Sequence, residues 1–217
     1  ISFYVGFERV IGTDVSENQI ANAIPKENIE YRCSKGEDLS FLPSDSVDLI
    51  TIATALHWLD LEQFSKEVQR VLKPQIGVLA VWTYSFGTLD NSEAHKINHE
   101  FFHNTVRPYW NERQHLVEDY YQSISPLFPY QSTLQRFTIE RELETTIDNL
   151  IGFIKTTSAC QTFRKQTSEE LYTNTLNTLR QKFIQCYNAD RQTIDLDSIK
   201  VKNSSPIHLY LMRKNEN

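Results

Sequence analysis

Apolar residues in the first third of the chain form short runs, separated by segments with a helical period. These runs are rich in β-branched residues and predict strands; the one at 47–53 reads as buried on both faces. Ser16 and Asp60 each stand three residues before a glutamine, which is typical of a helix N-terminus. The predicted strands span residues 10–13, 29–33, 47–53 and 77–84. The order strand, helix, strand, strand, helix, strand is typical of an α/β fold with a parallel sheet covered by helices on both faces.

The pattern changes in the second half of the chain. Residues 92–130 are polar, helical in tendency and dense in aromatic side chains, which predicts a helical insertion over the carboxyl edge of the sheet. Residues 133–143 alternate with a period of two and predict a strand with one solvated face. Two helices and an antiparallel closing strand are predicted at residues 147–159, 168–187 and 206–212. Because no linker or repeat interrupts the chain, we expect a single domain over 1–217, with 92–130 as a lid.

The charge balance narrows the class of partner. With 22 Lys and Arg against 28 Asp and Glu, the formal net charge is -6. This argues against a nucleic-acid partner, because phosphate binding needs a basic surface, and it favours a small-molecule or protein partner. Of these two we expect a small-molecule substrate. No apolar run approaches the length of a membrane span, so we expect no membrane partner. The sequence does not indicate an oligomeric state.

The cysteines indicate neither a disulfide framework nor a metal site. There are three cysteines, an odd number, and they are widely spaced without a CxxC pattern: Cys33, Cys160 and Cys186. We therefore expect a reduced, cytoplasmic protein that binds no metal. The first residue is Ile1 and the only methionine is Met212, which suggests a processed form, a fragment, or a chain without its earlier residues.

Polar and aromatic residues follow three of the predicted strands, at the edge where open α/β sheets bind ligands. Asp14 comes directly after the first strand, where an acid can accept from the two hydroxyls of a ribose; a turn residue is the alternative. Gly36 and Glu37 follow the second strand and either border a purine or form a polar loop. His57 and Trp58 follow the third strand; their alternatives are a structural histidine and a core indole.

Five segments carry a resemblance to a known family: Val10–Ser16, Gly36–Leu39, Ser46–Ile50, Ala55–Trp58 and Arg70–Pro74. Together they resemble the class I S-adenosylmethionine-dependent methyltransferases, and more narrowly the methyltransferase type 11 group that includes trans-aconitate methyltransferase-like proteins. Residues 108–113 and 153–159 are similar to the lid and a late helix of that group, so the resemblance covers nearly the whole chain. It implies a Rossmann-like, mostly parallel sheet and S-adenosylmethionine as the cofactor.

The resemblance also implies a set of cofactor-binding residues. Those expected at the ribose, adenine and methionine portions are, in that order, Asp14 with Val15, Gly36 with Glu37, and Ala53, Thr54 and His57. Two features depart from the family pattern. Lys35 stands where the family often has an acid that accepts from the adenine amino group. No Gly-x-Gly pattern occurs, so the family's first strand and glycine-rich loop are expected to be absent, with the chain beginning inside the next helix.

The implied reaction is in-line transfer of a methyl group from a sulfonium to a nucleophile, which we expect to be an oxygen of a small carboxylic acid. A carboxylate is ionised near neutral pH and needs no general base, so catalysis would rest on alignment and exclusion of water. His57 is the expected catalytic residue. Arg113 is the expected carboxylate clamp, and a solvated lid arginine is its alternative. The residues expected on the substrate side are His57, Trp58, Trp82, Tyr109, Trp110 and Arg113.

Two other functions fit parts of the sequence. The missing glycine loop also fits a truncated or degenerate methyltransferase fold that binds no cofactor and acts as an interaction module. A dinucleotide-dependent reductase would use Asp14 in the same way, but the placement of His57 and Trp58 does not suit it.

Overall fold

The computed structural model describes residues 6–188 and 199–215, and within these ranges it contains nine strands and seven α-helices. The strands are β1 (Val10–Asp14), β2 (Ile29–Cys33), β3 (Leu49–Ala53), β4 (Val78–Thr83), β5 (Thr88–Leu89), β6 (Gln135–Ile139), β7 (Glu142–Thr146), β8 (Lys200–Ser204) and β9 (Ile207–Arg213). The helices are α1 (Glu17–Ala21), α2 (Leu61–Val71), α3 (Ser92–Glu100), α4 (His115–Glu118), α5 (Ile147–Thr156), α6 (Ser158–Gln166) and α7 (Glu169–Asn188).

The described strands form three sheets, with the orders β1-β2, β3-β4-β9-β6 and β5-β8-β7. The pairs β1 with β2 and β3 with β4 are parallel, whereas β8 pairs antiparallel with both β5 and β7. From β1 to β4 the elements follow the predicted order, and both strand pairs in this part are parallel. The predicted α/β fold with a mostly parallel sheet is therefore confirmed.

The chain divides into two compact units. Unit 1 comprises Ile1–Trp82, Ser123–Arg136 and Tyr210–Asn217, and unit 2 comprises Thr83–Gln122 and Phe137–Leu209. The segment expected to form a lid, residues 92–130, is thus divided between the two units. A single domain over the whole chain stays a prediction.

The N-terminal strands are less buried than their apolar composition predicts. In β3 only Ile52 is buried, with 8% of its surface exposed, and no residue of β1 is buried. The reason lies in the pairing: β3 is an edge strand of its sheet, and β1 pairs only with β2 among the described residues. The expectation that 47–53 forms a strand buried on both faces is therefore wrong.

Two further elements differ from the prediction in their boundaries, and two strands were not predicted. The single strand expected over 133–143 is two strands, β6 and β7, with Glu140 and Arg141 between them. The helix expected over 147–159 is α5 followed by α6. It breaks at Thr157, where the backbone is extended and the Thr157 hydroxyl donates to the Ile154 carbonyl at 2.8 Å. Strands β5 and β8 were not predicted; in β8, buried Val201 and Asn203 alternate with exposed polar residues.

Helix α2 follows the sequence prediction closely. The Asp60 carboxylate accepts from the amides of Glu62 and Gln63, both at 3.1 Å, and so caps the helix N-terminus. Phe64 and Val68 on its apolar face are 3% and 0% exposed. Among the described helices, none has the length and apolar character needed to cross a bilayer.

Arg70, on the polar side of α2, fastens the loop that follows β2. Its guanidinium donates to the carbonyls of Leu42 at 2.7 Å and Leu39 at 2.8 Å. It also makes two hydrogen bonds to the Glu67 carboxylate, at 2.8 and 2.7 Å, and Glu67 in turn accepts from the Leu39 amide at 3.2 Å. The Arg70 side chain donates most of these bonds, so this one residue ties the loop over 39–42 to α2.

We expect Arg70→Met to lower the free energy of unfolding by about 1–3 kcal/mol, because two loop carbonyls and the Glu67 carboxylate lose the hydrogen bonds that Arg70 donates. Urea unfolding followed by circular dichroism measures the change. Lys66→Met is the matched control, since Lys66 and its partner Glu62 are 69% and 80% exposed. Loss of that surface pair should leave the free energy of unfolding nearly unchanged. Equal losses in the two variants would contradict the assignment.

Candidate functional site

Asp14 ends β1 with its side chain exposed at the carboxyl edge of the two-stranded sheet. Its backbone carbonyl accepts from the Ser34 amide at 3.0 Å, which continues the pairing beyond Cys33. One carboxylate oxygen, Oδ1, accepts from the Ser16 amide at 2.8 Å, and this bond fixes the turn into α1. The other oxygen, Oδ2, has no partner among the residues that the structure describes, so it is available as an acceptor.

The loop after β2 packs against the segment that follows β3. A Cβ atom at Gly36 would lie 2.8 Å from Cδ2 of Leu59, so glycine permits this close approach. Glu37 beside it is partly buried. Asp38 is engaged locally: the Ser40 hydroxyl and amide donate to its carboxylate and hold the pKa of Asp38 below its usual value. Within unit 1, the loops carrying Gly36 and Leu59 therefore meet.

The carboxyl end of β3 carries backbone strain. Ala53 pairs with Trp82, and the Thr54 amide extends the pairing by donating to the Trp82 carbonyl at 2.8 Å. Thr54 has a φ of +48°, a left-handed conformation that is unfavourable for a β-branched residue. Its hydroxyl oxygen is buried and has no hydrogen-bond partner. Thr54 therefore combines backbone strain with an unpaired buried hydroxyl at the carboxyl end of a parallel strand.

His57 and Trp58 lie in a short 3-10 turn, Leu56–Trp58, directly after this strained residue. His57 is 5% exposed, whereas Trp58 is 48% exposed, so the indole is not a core side chain. The two rings are in contact, with centroids 4.7 Å apart. Trp82, at the end of β4, is 7% exposed. Unit 1 thus holds an exposed indole and a buried imidazole side by side.

The other three expected substrate residues belong to unit 2. Tyr109 packs on Phe163 with ring centroids 4.9 Å apart. Trp110 has the Arg107 guanidinium 5.1 Å above its ring, and its buried Nε1 has no partner. Arg113 is exposed on the turn Glu112–Gln114. Within unit 2, Tyr109 and Trp110 pack against the hydrophobic core while Arg113 lies at the surface.

A cluster of ionisable residues next to Trp110 was not found from the sequence. The rings of His99 and His103 stack with centroids 4.0 Å apart, and Arg107 donates to Glu118 at 3.1 Å. Burial and then the neighbouring His99 lower the pKa of His103, so its ring is neutral near neutral pH. The spacing of four residues between the histidines is the only signal in the sequence. In the described part of the chain, no group of three or more His, Cys, Asp or Glu side chains is arranged to hold a metal ion.

Comparison with known families and curated proteins agrees with the sequence resemblance. A family model described as "Methyltransferase domain" matches residues 2–81. A Dictyostelium discoideum protein named "Putative methyltransferase" is 31% identical over 210 residues, which cover 96% of this chain and 75% of that protein. A Saccharomyces cerevisiae protein named "Probable S-adenosylmethionine-dependent methyltransferase" is 37% identical over 86 residues, which cover 36% of this chain and 29% of that protein.

Comparison with solved structures agrees at the level of the fold. The structure of a protein from Anaeromyxobacter dehalogenans, described as a "Putative Type II Methyltransferase", superposes with a TM-score of 0.70 at 28% identity. The superposition covers 95% of this chain and 81% of that one.

We expect Thr54→Gly to leave the free energy of unfolding unchanged or to raise it by about 1 kcal/mol. The substitution releases strain of about 1–3 kcal/mol and removes an unpaired buried hydroxyl, whereas glycine in the unfolded chain costs only about 0.5–1 kcal/mol. Urea unfolding measures the difference.

Thr51→Gly is the matched control, because Thr51 lies in the middle of β3, paired with Ala80 in a regular strand. This change should lower the free energy of unfolding by about 1 kcal/mol. If Thr54→Gly is as destabilising as Thr51→Gly, the conformation of Thr54 stores no strain.

Proposed function

The chain belongs to the class I S-adenosylmethionine-dependent methyltransferases, and from this premise we propose that it methylates a carboxylate oxygen of a small organic acid. The family establishes the enzyme class and S-adenosylmethionine as the cofactor. The proposal adds the acceptor and a place in the trans-aconitate methyltransferase-like group, on the sequence segments that resemble that group. The net charge of -6 supports a small-molecule acceptor over a nucleic acid. We also propose a cytoplasmic location.

The residues present in unit 1 fit this cofactor. The observation that carries the assignment is Asp14, because its carboxylate oxygen Oδ2 has no partner among the described residues and follows a parallel strand, where ribose hydroxyls can donate to it. Val15 follows Asp14 and is 69% exposed, so its apolar side chain would be accessible to the sugar. Gly36 and Glu37 would border the adenine, on the loop that packs against Leu59 at Gly36. Lys35 stands where the family often has an acid, so no carboxylate at this position can accept from the adenine amino group.

The methionine portion would lie along the end of β3, at Ala53, Thr54 and His57. The unpaired hydroxyl of Thr54 suits a polar group of a ligand, which would satisfy it. When bound, S-adenosylmethionine supplies a methyl group on a positively charged sulfur, which a nucleophile can displace. His57, nearly buried at 5% exposure, would act by orienting the reacting groups rather than by removing a proton, because a carboxylate acceptor is already ionised.

The acceptor would be held by aromatic faces and one cation. The aromatic candidates are Trp58 and Trp82 in unit 1 and, separately, Tyr109 and Trp110 in unit 2. Aromatic side chains of this kind can exclude water from a reacting centre. Trp110 also offers a buried Nε1–H donor that has no partner in the protein. Arg113, with its planar guanidinium, is suited to a bidentate bond with an acceptor carboxylate.

We expect Asp14→Ala to weaken the binding of S-adenosylhomocysteine, measured by calorimetry, by about 1–3 kcal/mol, because charged hydrogen bonds to the ribose are lost. Glu62→Ala, an exposed carboxylate on α2, is the control and should leave the affinity unchanged. An Asp14→Ala chain that binds as tightly as the unchanged one refutes the ribose assignment. Absence of binding to the unchanged chain would favour a non-catalytic interaction module.

We expect Arg113→Ala to raise the KM for the acceptor about tenfold or more while the affinity for S-adenosylhomocysteine stays the same. Steady-state kinetics with release of S-adenosylhomocysteine as the signal gives the KM. Arg164→Ala is a suitable control, because Arg164 is paired with Glu169 on another surface segment. An unchanged KM removes Arg113 from the site.

A further inference from the structure

Unit 2 contains an open cavity of about 290 Å³ between the segment 97–105 and helix α7. This volume is close to the lower limit, roughly 300 Å³, of sites that hold small ligands. All the residues that line the cavity belong to unit 2, and none of them is a residue assigned above to the cofactor or to the methyl acceptor. The proposed function therefore leaves this cavity without a role.

A π-helical turn forms part of one wall of the cavity. Residues Phe101–Thr105 continue α3 as a π-helix, in which the Val106 amide donates to the Phe101 carbonyl at 3.0 Å. Positions four apart in an α-helix drift slowly around the helix, because 3.6 residues complete a turn, and the wider π turn offsets this drift. Ile97, Phe101 and Thr105 thus all reach the same cavity. Such π turns are rare and are frequent at functional sites.

Helix α7 forms the opposite wall and is mostly polar there. Its lining residues are Asn174, Thr175, Thr178, Leu179 and Lys182. The Asn91 side chain donates to the Cys186 carbonyl at 3.1 Å, so α3 begins beside the end of α7 and the two helices run antiparallel. Lys182 therefore lies towards the Ile97 end of the cavity, and Asn174 lies towards the Thr105 end.

Two opposite charges line the cavity without pairing. Glu100 and Lys182 form no ion pair with each other or with any other described residue. Lys96 lies one turn before Glu100 on α3 but pairs with Glu93 instead, at 3.5 Å. A carboxylate and an ammonium group thus face one cavity, and the described residues neutralise neither of them.

The rest of the lining combines unused polar groups with an apolar floor. The side chains of Thr105, Asn174 and Thr178 make no hydrogen bond within the described residues. Phe101 and Leu179 are 4% and 2% exposed, so they form the floor of the cavity. The cavity therefore offers two opposite charges, neutral donors and acceptors, and an apolar surface between the walls.

We propose that this cavity binds a free α-amino acid that carries a side-chain amide. The ammonium group of such a zwitterion can donate to Glu100, and its carboxylate can accept from Lys182, so both fixed charges are compensated. The methylene groups of the side chain suit the apolar floor, and its amide suits the unused groups of Asn174 and Thr105. A ligand with a single charge would use only one of the two fixed charges.

L-Glutamine is the probe, and calorimetry with the full chain measures its affinity. N-acetyl-L-glutamine lacks the ammonium group, and L-glutamine amide lacks the carboxylate. Each derivative loses one charged contact and should bind about tenfold more weakly or less tightly still. The proposal is overturned if L-glutamine does not bind, or if either derivative binds as tightly as L-glutamine.

Substitutions of the two charged residues locate the binding. Lys182→Met and Glu100→Gln should each weaken L-glutamine binding by about tenfold or more. Both side chains are exposed, so neither change threatens the core. Lys96→Met and Glu170→Gln are the matched controls on α3 and α7, because neither residue lines the cavity, and they should leave the affinity unchanged. If Lys182→Met binds L-glutamine as tightly as Lys96→Met, the assignment is wrong.

A third variant tests the space rather than the charge. Thr178→Leu places a larger, apolar side chain in the cavity and should abolish L-glutamine binding. Its neighbour Asn177 is also exposed on α7 but does not line the cavity, so Asn177→Leu is the control and should bind normally. Leucine favours a helix more than either original residue, so both variants should keep α7 intact. Normal binding by Thr178→Leu contradicts the proposal.

S-adenosylhomocysteine also carries an amino acid zwitterion, so the titration is repeated with the protein saturated with it. L-Glutamine should then bind with the same affinity. Loss of its binding would assign L-glutamine to the cofactor site and overturn this inference, while the proposed function stands. If L-glutamine binds and S-adenosylhomocysteine does not, the amino acid site stands and the proposed cofactor site of this chain is refuted.

Discussion

The parallel pairing of β3 with β4 is the constraint on which the candidate site depends. Parallel neighbours need a crossover connection, and here α2 provides it. The crossover is fixed at its far end: the Lys73 amide donates to the Val47 carbonyl and the Val78 amide to the Asp48 carbonyl, both at 2.9 Å. The Lys73 ammonium adds an ion pair with Asp48 at 2.8 Å. Because the two strands are parallel, their carboxyl ends lie at the same edge of the sheet. There the Thr54 amide donates to the Trp82 carbonyl.

The carboxyl ends of β1 and β3, which belong to two different sheets, hold polar groups that the described residues do not satisfy. Asp14 uses one carboxylate oxygen to fix its own turn and leaves the other exposed. Thr54 combines a left-handed backbone with a buried, unpaired hydroxyl. An unpaired buried polar group costs roughly 1–3 kcal/mol, and so does such a backbone conformation. Folding tolerates these costs because the surrounding parallel pairing and the packing of α2 fix the backbone on both sides.

Unit 2 uses its aromatic residues in two ways. Most are structural: Phe86 and Phe102 stack at 3.7 Å, and Tyr109 packs on Phe163 against a core made by α5, α6 and α7. Trp110 belongs to the same packing and yet keeps a buried donor without a partner. The cations there also differ from one another. Arg107 is neutralised by Glu118, whereas the contacts of the Arg141 guanidinium within the described ranges are with Ser205 and the face of Tyr84.

The sequence alone determined the order of elements through β4, both helix caps at Ser16 and Asp60, and the family, because these depend on local patterns and on short segments in a fixed order. It misjudged what depends on neighbours. The sequence of β3 predicts a fully buried strand, but β3 lies at the edge of its sheet and has a neighbouring strand on one side only. Strand β8 was missed because most of its residues are polar, which hides the alternation of the buried residues Val201 and Asn203 with exposed ones. The sequence gives no signal for Arg141, because its surroundings are formed by residues that are distant in sequence, such as Ser205, and become known only from the fold. Burial, strain and unpaired charge are properties of contacts between distant residues, and only the tertiary structure decides them.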